Sequence, residues 1–375
     1  MLAPLFHRYL DMDKTKNLAI CNNDYDAYMV LSKESRLEIQ WWIDNVRLVN
    51  GNPIRHEEKT KYIQTDASLQ GWGAVFGKNK TQGRWNSDES VQHINVLELK
   101  AIYFALKSLC EDQSQIQICV YTDSAVAVSY INSRGGSVST LHEIVKNIWL
   151  WCVKREIFIF AVHIPGKSNE TPDNLSRIFN DSSEWMLKTS IFDKICDQFF
   201  RPEVDLFASR LNHQLKNYVS WFPDPEAVAT DAFSFSWRNL MPYIFSPFSL
   251  IPRILTKIEN DQVKFALIII PLWQTQLWFP KLMESLIKIP IKLPFCRDLL
   301  TLPHDHSLHP MNKRKLFLTA CVISGDTYLR KVFRQSLPIL SQNHGDLQLT
   351  SNMSTPGESG VFGVLQGKLI PLHQM

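Results

Sequence analysis

Four carboxylates on four different local elements constrain this chain most: Asp66 in KYIQTDAS, Glu98 in INVLELKA, Asp123 in CVYTDS and Asp173 in TPDNLSR. Each ends or opens a stretch that reads as buried scaffold, so the fold is expected to bring four distant acids to one point. A lone Asp after a strand is more often a turn residue or a helix cap. Four in this order and context ask for another account. Like charges within a few ångström repel, and such a cluster persists only if some carboxylates are protonated or a divalent cation sits among them. Hard, oxygen-only ligands suit magnesium or manganese. Two such ions about 3.5 to 4 Å apart support in-line displacement at a phosphodiester.

The scaffold can be read from pattern. KYIQTD is a short β-rich run, GWGAVFG a second run punctuated by glycines, and GRWN a third, together an antiparallel meander. From Asn95 to Cys110 the period changes, with Leu99, Ile102, Tyr103, Leu106 and Leu109 on one helical face and Glu98 expected in the first turn. IQICVYTD is a near-continuous apolar strand ending in an acid. Leu141, Ile144, Val145, Ile148, Trp149 and Cys152 mark another helix, and IFIFAVH one more buried strand. The order of three strands, helix, strand, helices, strand and helix predicts an α/β fold, a mixed sheet covered by helices. Trp72, Trp85, Trp149 and Trp151 read as core.

These residues also carry a family resemblance. Residues 61–180 resemble a type 1 ribonuclease H domain, in particular that of retroelement reverse transcriptases, in DAS with GWGA, Asn95-x-x-Glu98, TDS and HIPGKSNETPDNLSR. The resemblance implies a ribonuclease H-like mixed five-stranded sheet with flanking helices, and an endonuclease that hydrolyses the RNA strand of an RNA–DNA hybrid. It implies that Asp66, Glu98, Asp123 and Asp173 hold two Mg2+ or Mn2+ ions. His163, ten residues before Asp173, would serve proton transfer or product release. Asn95, Ser68, Ser124 and Asn169 would touch the nucleic acid. Read by itself, His163 at a strand end equally packs or bonds locally, and Asn95 equally belongs to the N-cap region of its helix.

Residues 1–60 read as the end of something larger. LSKESRLEIQWWIDNVRLVNG carries a helix-like stripe of Ile39, Trp42, Ile43 and Val46, followed by a polar connector. It resembles the segment joining a reverse transcriptase to its ribonuclease H domain, and is expected to pack on the next domain as a helical collar. The polymerase's paired-aspartate motif is absent, so the polymerase part of the same polyprotein is an implied partner, not an activity of this chain.

A second α/β unit is expected over residues 200–325. Its series DLFAS, Asn212, Tyr218, Asp231, Trp237, SPF and an apolar strand resembles the methyltransferase-like domain of DIRS-type retroelements, related to phage adenine methylases. That family places a polar acceptor, two prolines and an aromatic at its catalytic tetrad, where this chain has Phe245-Ser246-Pro247-Phe248. Phenylalanine offers no acceptor for an amino group. The domain therefore reads as degenerate, with Asp205 and Asp231 either contacts to S-adenosylmethionine or, more in keeping with their turns, structural residues. Residues 326–375, rich in Ser, Gly, Asn and Gln, read as linker or disordered tail.

Composition narrows the remainder. The net charge is only +3, and residues 61–180 hold 12 basic against 11 acidic residues, so a nucleic-acid face has to come from local arrangement and bound metal. Seven scattered cysteines form no CxxC pair, which suits a reducing intracellular compartment. No secretory signal is apparent, and VKFALIIIPLW is too short to span a bilayer, so no membrane partner is expected. Two alternatives to the nuclease follow: a non-catalytic nucleic-acid-binding remnant of a retroelement, and an adenine N6 methyltransferase.

Overall fold

The computed structural model describes residues 2–47, 60–179, 184–304, 306–310, 316–338 and 359–375. The chain divides into two units, Met1–Phe179 with Asp224–Glu226, and Asn180–Pro223 with Ala227–Met375. The polar connector expected after Val46 lies outside the described residues.

The first unit begins with α1 (Arg8–Ile20) and α2 (Lys33–Asn45). The strands β1 (Thr60–Ala67), β2 (Gly71–Phe76) and β3 (Asn79–Arg84) follow, then the short α3 (Ser87–Ser90) and α4 (Ile94–Leu109). Next come β4 (Gln117–Thr122), α5 (Ala125–Asn132), α6 (Ser139–Val153), β5 (Phe158–His163) and α7 (Glu170–Arg177). The sheet order is β3-β2-β1-β4-β5, antiparallel through the meander and parallel from β1 to β4 and β5. Tight turns join the first three strands, whereas the helical crossovers return the chain in the same direction. The core is built from the residues whose spacing announced it: Ile63, Leu99, Ile102, Leu106, Val120, Val145, Trp149 and Ile159 are all buried. Trp72 and Trp85 join them, with Trp151 partly buried against the cluster.

The segment before β1 is bound into this unit by polar clamps as well as by packing. Glu38, buried on α2, accepts from the backbone N–H of Tyr9 and Leu10 at 3.2 and 3.0 Å and so caps α1 from 28 residues away. Trp42 Nε1 donates to Phe6 O at 2.7 Å, and the Phe6 ring stacks on Trp41 at 3.7 Å. The expected apolar stripe is only partly right. Ile43 and Val46 are 67% and 52% exposed, while α2 turns Ser35, Glu38, Trp41 and Trp42 inward. The polar clamp, not hydrophobic spacing, fixes the face.

The second unit contains β6 (Met186–Leu187), α8 (Thr189–Gln198), β7 (Val204–Asp205), β8 (Val219–Ser220), β9 (Ala229–Thr230), β10 (Pro242–Ile244) and α9 (Ile251–Asn260). It continues with β11 (Ala266–Pro271), α10 (Phe279–Ser285), β12 (Ile291–Lys292), β13 (Leu300–Thr301), β14 (Leu318–Ile323), α11 (Thr327–Ser336), β15 (Ser359–Leu365) and β16 (Lys368–Gln374). Its main sheet runs β15-β16-β12-β14-β11-β10-β7, with β7, β10 and β11 parallel and β14 antiparallel to β11. The apolar run around Ile268 is the buried strand β11, as its composition predicts. The tail reading has to be corrected: α11 occupies 327–336, and the last seventeen residues form a hairpin that extends the sheet through β16 and β12. Phe362 and Ile370 from that hairpin are fully buried, which its polar surroundings in sequence concealed.

All seven cysteines are free thiols. Among the described residues, no helix is long and apolar enough to cross a membrane.

Candidate active site

Parallel pairing of β1 with β4 carries Asp66 and Asp123 to the same end of the sheet, one inside the end of β1 and the other just past β4. Glu98 reaches them from α4. It lies one turn into that helix, not in the first turn as the pattern suggested, because α4 starts at Ile94. One carboxylate oxygen from each of the three acids falls within 4.8 Å of the others, and Asp123 is the most open of the three.

Burial dominates the electrostatics. It pushes the Glu98 carboxyl up to about 9, reinforced by the charges of Asp66 and Asp123 and only partly offset by the Ala67 N–H and the Thr122 hydroxyl. Asp66 is pushed up to about 6, again by burial first, with Asp123 and Asp173 adding to the shift and a bond from Ser176 opposing it. Glu98 Oε2 is buried and has no hydrogen-bond partner. Three carboxylates with one oxygen left unbonded make a donor set suited to a hard divalent cation, and Asp66, Glu98 and Asp123 fit that group.

Asp173 stands apart from the trio. It opens α7 near enough for its charge to act on Asp66, but its Oδ1 accepts from Arg177 Nε at 2.7 Å. His163, exposed at the end of β5, sets Nε2 3.0 Å from the Asp123 carbonyl oxygen. A carbonyl only accepts, so Nε2 carries the proton and Nδ1 of the neutral ring is an acceptor. Asn95 lies half-buried in the first turn of α4, and its N–H donates to His93 Nδ1 at 3.2 Å.

Two of the expected nucleic-acid contacts are used internally. Asn169 is fully buried, and its amide donates to Thr65 O at 2.9 Å and to Asp66 Oδ1 at 3.4 Å. Ser68 is buried in the β1–β2 turn, where its hydroxyl donates to Ser176 O at 2.6 Å and accepts from Gln70 and Gly71 N–H groups. Both are buried behind the site, and Asn169 Oδ1 has no hydrogen-bond partner there. Ser124 caps α5 by accepting from Ala127 N at 3.2 Å, which leaves its hydroxyl proton for another acceptor.

The two acids named as cofactor contacts in the second unit bond to their own backbone. Asp205 is buried, with Oδ2 accepting from Gln214 N at 3.1 Å and Oδ1 from Phe207 N at 3.4 Å, so it ties its own loop together. Asp231, at φ 55°, accepts from Phe233 N at 3.0 Å and shapes a turn. Phe248 leaves the end of β10 to meet Trp273 edge-on at 5.3 Å.

Two glycines, Gly73 and Gly166, bring the pieces this close. A Cβ on Gly73, paired with Asp66 across β1 and β2, would sit 2.5 Å from Pro172 O and 2.9 Å from Ser176 N, so only glycine lets α7 lie on the sheet. A Cβ on Gly166 would sit 3.3 Å from Asp123 Oδ2. Sequence reasoning missed Ser176, Thr122 and Gly166. Thr122 stands beside a marked acid in TDS and Ser176 inside NLSR, but nothing local says that either points at a carboxylate.

A ribonuclease H family model matches residues 58–177. Among solved structures, the chain is similar to a ribonuclease H1 isolated from compost by a metagenomic approach, at 22% identity over 31% of this chain and 92% of that one, with a TM-score of 0.27. That protein has also been solved in complex with an RNA/DNA hybrid. The chain is similar as well to the N-terminal ribonuclease H domain of a Mycobacterium tuberculosis protein, at 16% identity over 32% and 91% of the two chains, with a TM-score of 0.27. The prototype foamy virus protease–reverse transcriptase matches at 14% identity over 48% of this chain and 27% of that one, with a TM-score of 0.21. No curated protein matches the chain. The first unit thus has the ribonuclease H-like fold, with its mixed five-stranded sheet and flanking helices.

Proposed function

We propose that the chain is a divalent-metal-dependent endonuclease that hydrolyses the RNA strand of RNA–DNA hybrids, as part of a retroelement reverse transcriptase polyprotein. The observation that carries this reading is the convergence of Asp66, Glu98 and Asp123 around a buried oxygen of Glu98 that has no partner. Divalent ions bound there supply an activated water and neutralise the leaving oxygen.

The chain's own residues do the rest. Asp66, Glu98 and Asp123 would hold the cation, and Glu98 would have to be ionised to do so, since a ligand carboxylate binds as its anion. Asp173 would complete the ligand set if it let go of Arg177. At 39% and 57% side-chain exposure that ion pair is worth about 1 kcal/mol or less and yields readily. His163 Nδ1 is the acceptor placed to take a proton from water or product at the edge of the cluster. Selectivity for the hybrid comes from 2′-hydroxyl contacts on the RNA side and backbone shape on the DNA side.

The adenine methylase alternative finds no support in the second unit, where Asp205 has both oxygens occupied and Phe245 supplies no acceptor. The test is cleavage of an end-labelled hybrid with Mg2+ or Mn2+ against Asp66→Asn, which removes a ligand charge at nearly constant shape. Metal-dependent cutting of the RNA strand that disappears in the variant is expected. A folded chain that leaves the hybrid intact fits the non-catalytic remnant instead.

A further inference from the structure

α7 touches the acid cluster through a residue outside the expected ligand set. Ser176 is fully buried, and its Oγ stands 2.7 Å from Asp66 Oδ2, a contact between residues 110 apart in sequence. Two other bonds fix the serine in place. Ser68 Oγ donates to its carbonyl at 2.6 Å, and its own hydroxyl also lies 2.8 Å from Asp173 O, one turn back in the helix.

A hydroxyl has one proton, and here it meets two acceptors. The bond to an ionised carboxylate is about twice as strong as one to a neutral carbonyl, so the proton goes to Asp66 whenever Asp66 is charged. The helix does not need that bond, because the carbonyl of Asp173 is an ordinary outlet for a helical serine. Removing the hydroxyl therefore leaves no buried donor stranded, and the group that loses a partner is Asp66. The other side-chain donor to Asp66, the Asn169 amide, is at 3.4 Å and spends its shorter bond of 2.9 Å on Thr65 O.

We propose that Ser176 is a positioning residue of the metal site: its hydroxyl anchors one oxygen of Asp66 so that the carboxylate is held in its ligating orientation before a cation binds. This rests on the metal-binding reading of the cluster. Loss of such an outer partner typically lowers metal affinity about 10-fold or more.

The experiment titrates Mn2+ into the full metal-free chain, without nucleic acid, and follows binding by calorimetry and by the spin resonance of free Mn2+. Wild type, Ser176→Ala and Ser176→Cys are compared, and the unfolding curve of each metal-free protein checks that its fold is kept. The alanine variant is expected to bind about 10-fold more weakly, with cysteine, a weak donor of similar size, in between. Hybrid cleavage should then need correspondingly more Mn2+ for half its maximum while the maximal rate stays near that of wild type. Equal affinity in all three proteins overturns the proposal, as does a lowered maximal rate at unchanged affinity. If the alanine variant unfolds, the cysteine variant decides by the same two criteria. A wild-type chain that binds no Mn2+ overturns the metal reading itself.

Discussion

Each unit buries an acid, Asp205 at the end of a strand in the second and Glu98 on a helix in the first, and the two have opposite surroundings. In the second unit Asp205 is pushed up to about 7 by burial, yet each of its oxygens accepts a backbone N–H from the loop it closes. In the first unit Glu98 is pushed higher, to about 9, by burial and by two neighbouring acids, and one of its oxygens is bonded to nothing. A displaced carboxyl is therefore a sign of burial and not, by itself, of a site. What separates the two is whether the protein has spent the oxygens on its own backbone.

The sharpest way to break that comparison is to substitute one buried acid of each unit by its amide, taking Asp66 from the cluster that holds Glu98. Asp66→Asn should lower metal-dependent hybrid cleavage on the order of a thousandfold or more, read with an end-labelled hybrid, whereas Asp205→Asn should leave the cleavage rate as it was. Next in size is the close approach of α7. Gly73→Ala should destabilise the first unit by about 3 kcal/mol through overpacking, while Gly360→Ala, whose nearest neighbour atom lies 4.0 Å away, should change denaturant unfolding very little. Smaller again is the structural cost of Asp205→Asn, about 1 to 2 kcal/mol from a weakened loop, measured by the same unfolding curves.

The subtlest expectation concerns pH. Both acids have folded values above their unfolded ones, so each contributes stability that is complete near pH 4 and is lost as pH rises, through about 7 for Asp205 and about 9 for Glu98. Buried His142 has the opposite sign: pushed down to about 4, it removes stability as pH falls below 6.5. In metal-free protein the slope between pH 7 and 9 should therefore fall with pH and flatten in Glu98→Gln. Added Mn2+ should raise the melting temperature more at pH 8.5 than at pH 6, because cations take the ionised form. That gain should vanish in Glu98→Gln and persist in Asp205→Asn.

Most of the first unit was legible in the sequence, because its strands and helices declare themselves by period and its acids sit at element ends. The near-continuous apolar run IQICVYTD and the three-and-four spacing from Leu141 to Cys152 became β4 and α6 within a few residues. What escaped is what depends on a distant partner. Glu38 looks like a surface acid until α1 is laid against it, and Ser176 like a solvent-facing helical serine until Gly73 admits α7. The closing hairpin was hidden because a polar stretch precedes it and its glycines diluted the alternation of GVFGVLQGKLIPLH. Of the four acids expected at one point, the fold groups Asp66, Glu98 and Asp123, while Asp173 pairs with Arg177, the cation one helical turn along.

The 110 residues between Asp66 and Ser176 also set a clock. A ribosome adds about 5 to 20 residues per second, so the first acid leaves the tunnel roughly 5 to 20 s before the serine that braces it. Throughout that interval the nascent chain, still attached to its own messenger, has Asp66 without the helix that holds it. The acid cluster with its bracing serine is therefore complete only after synthesis has passed residue 176.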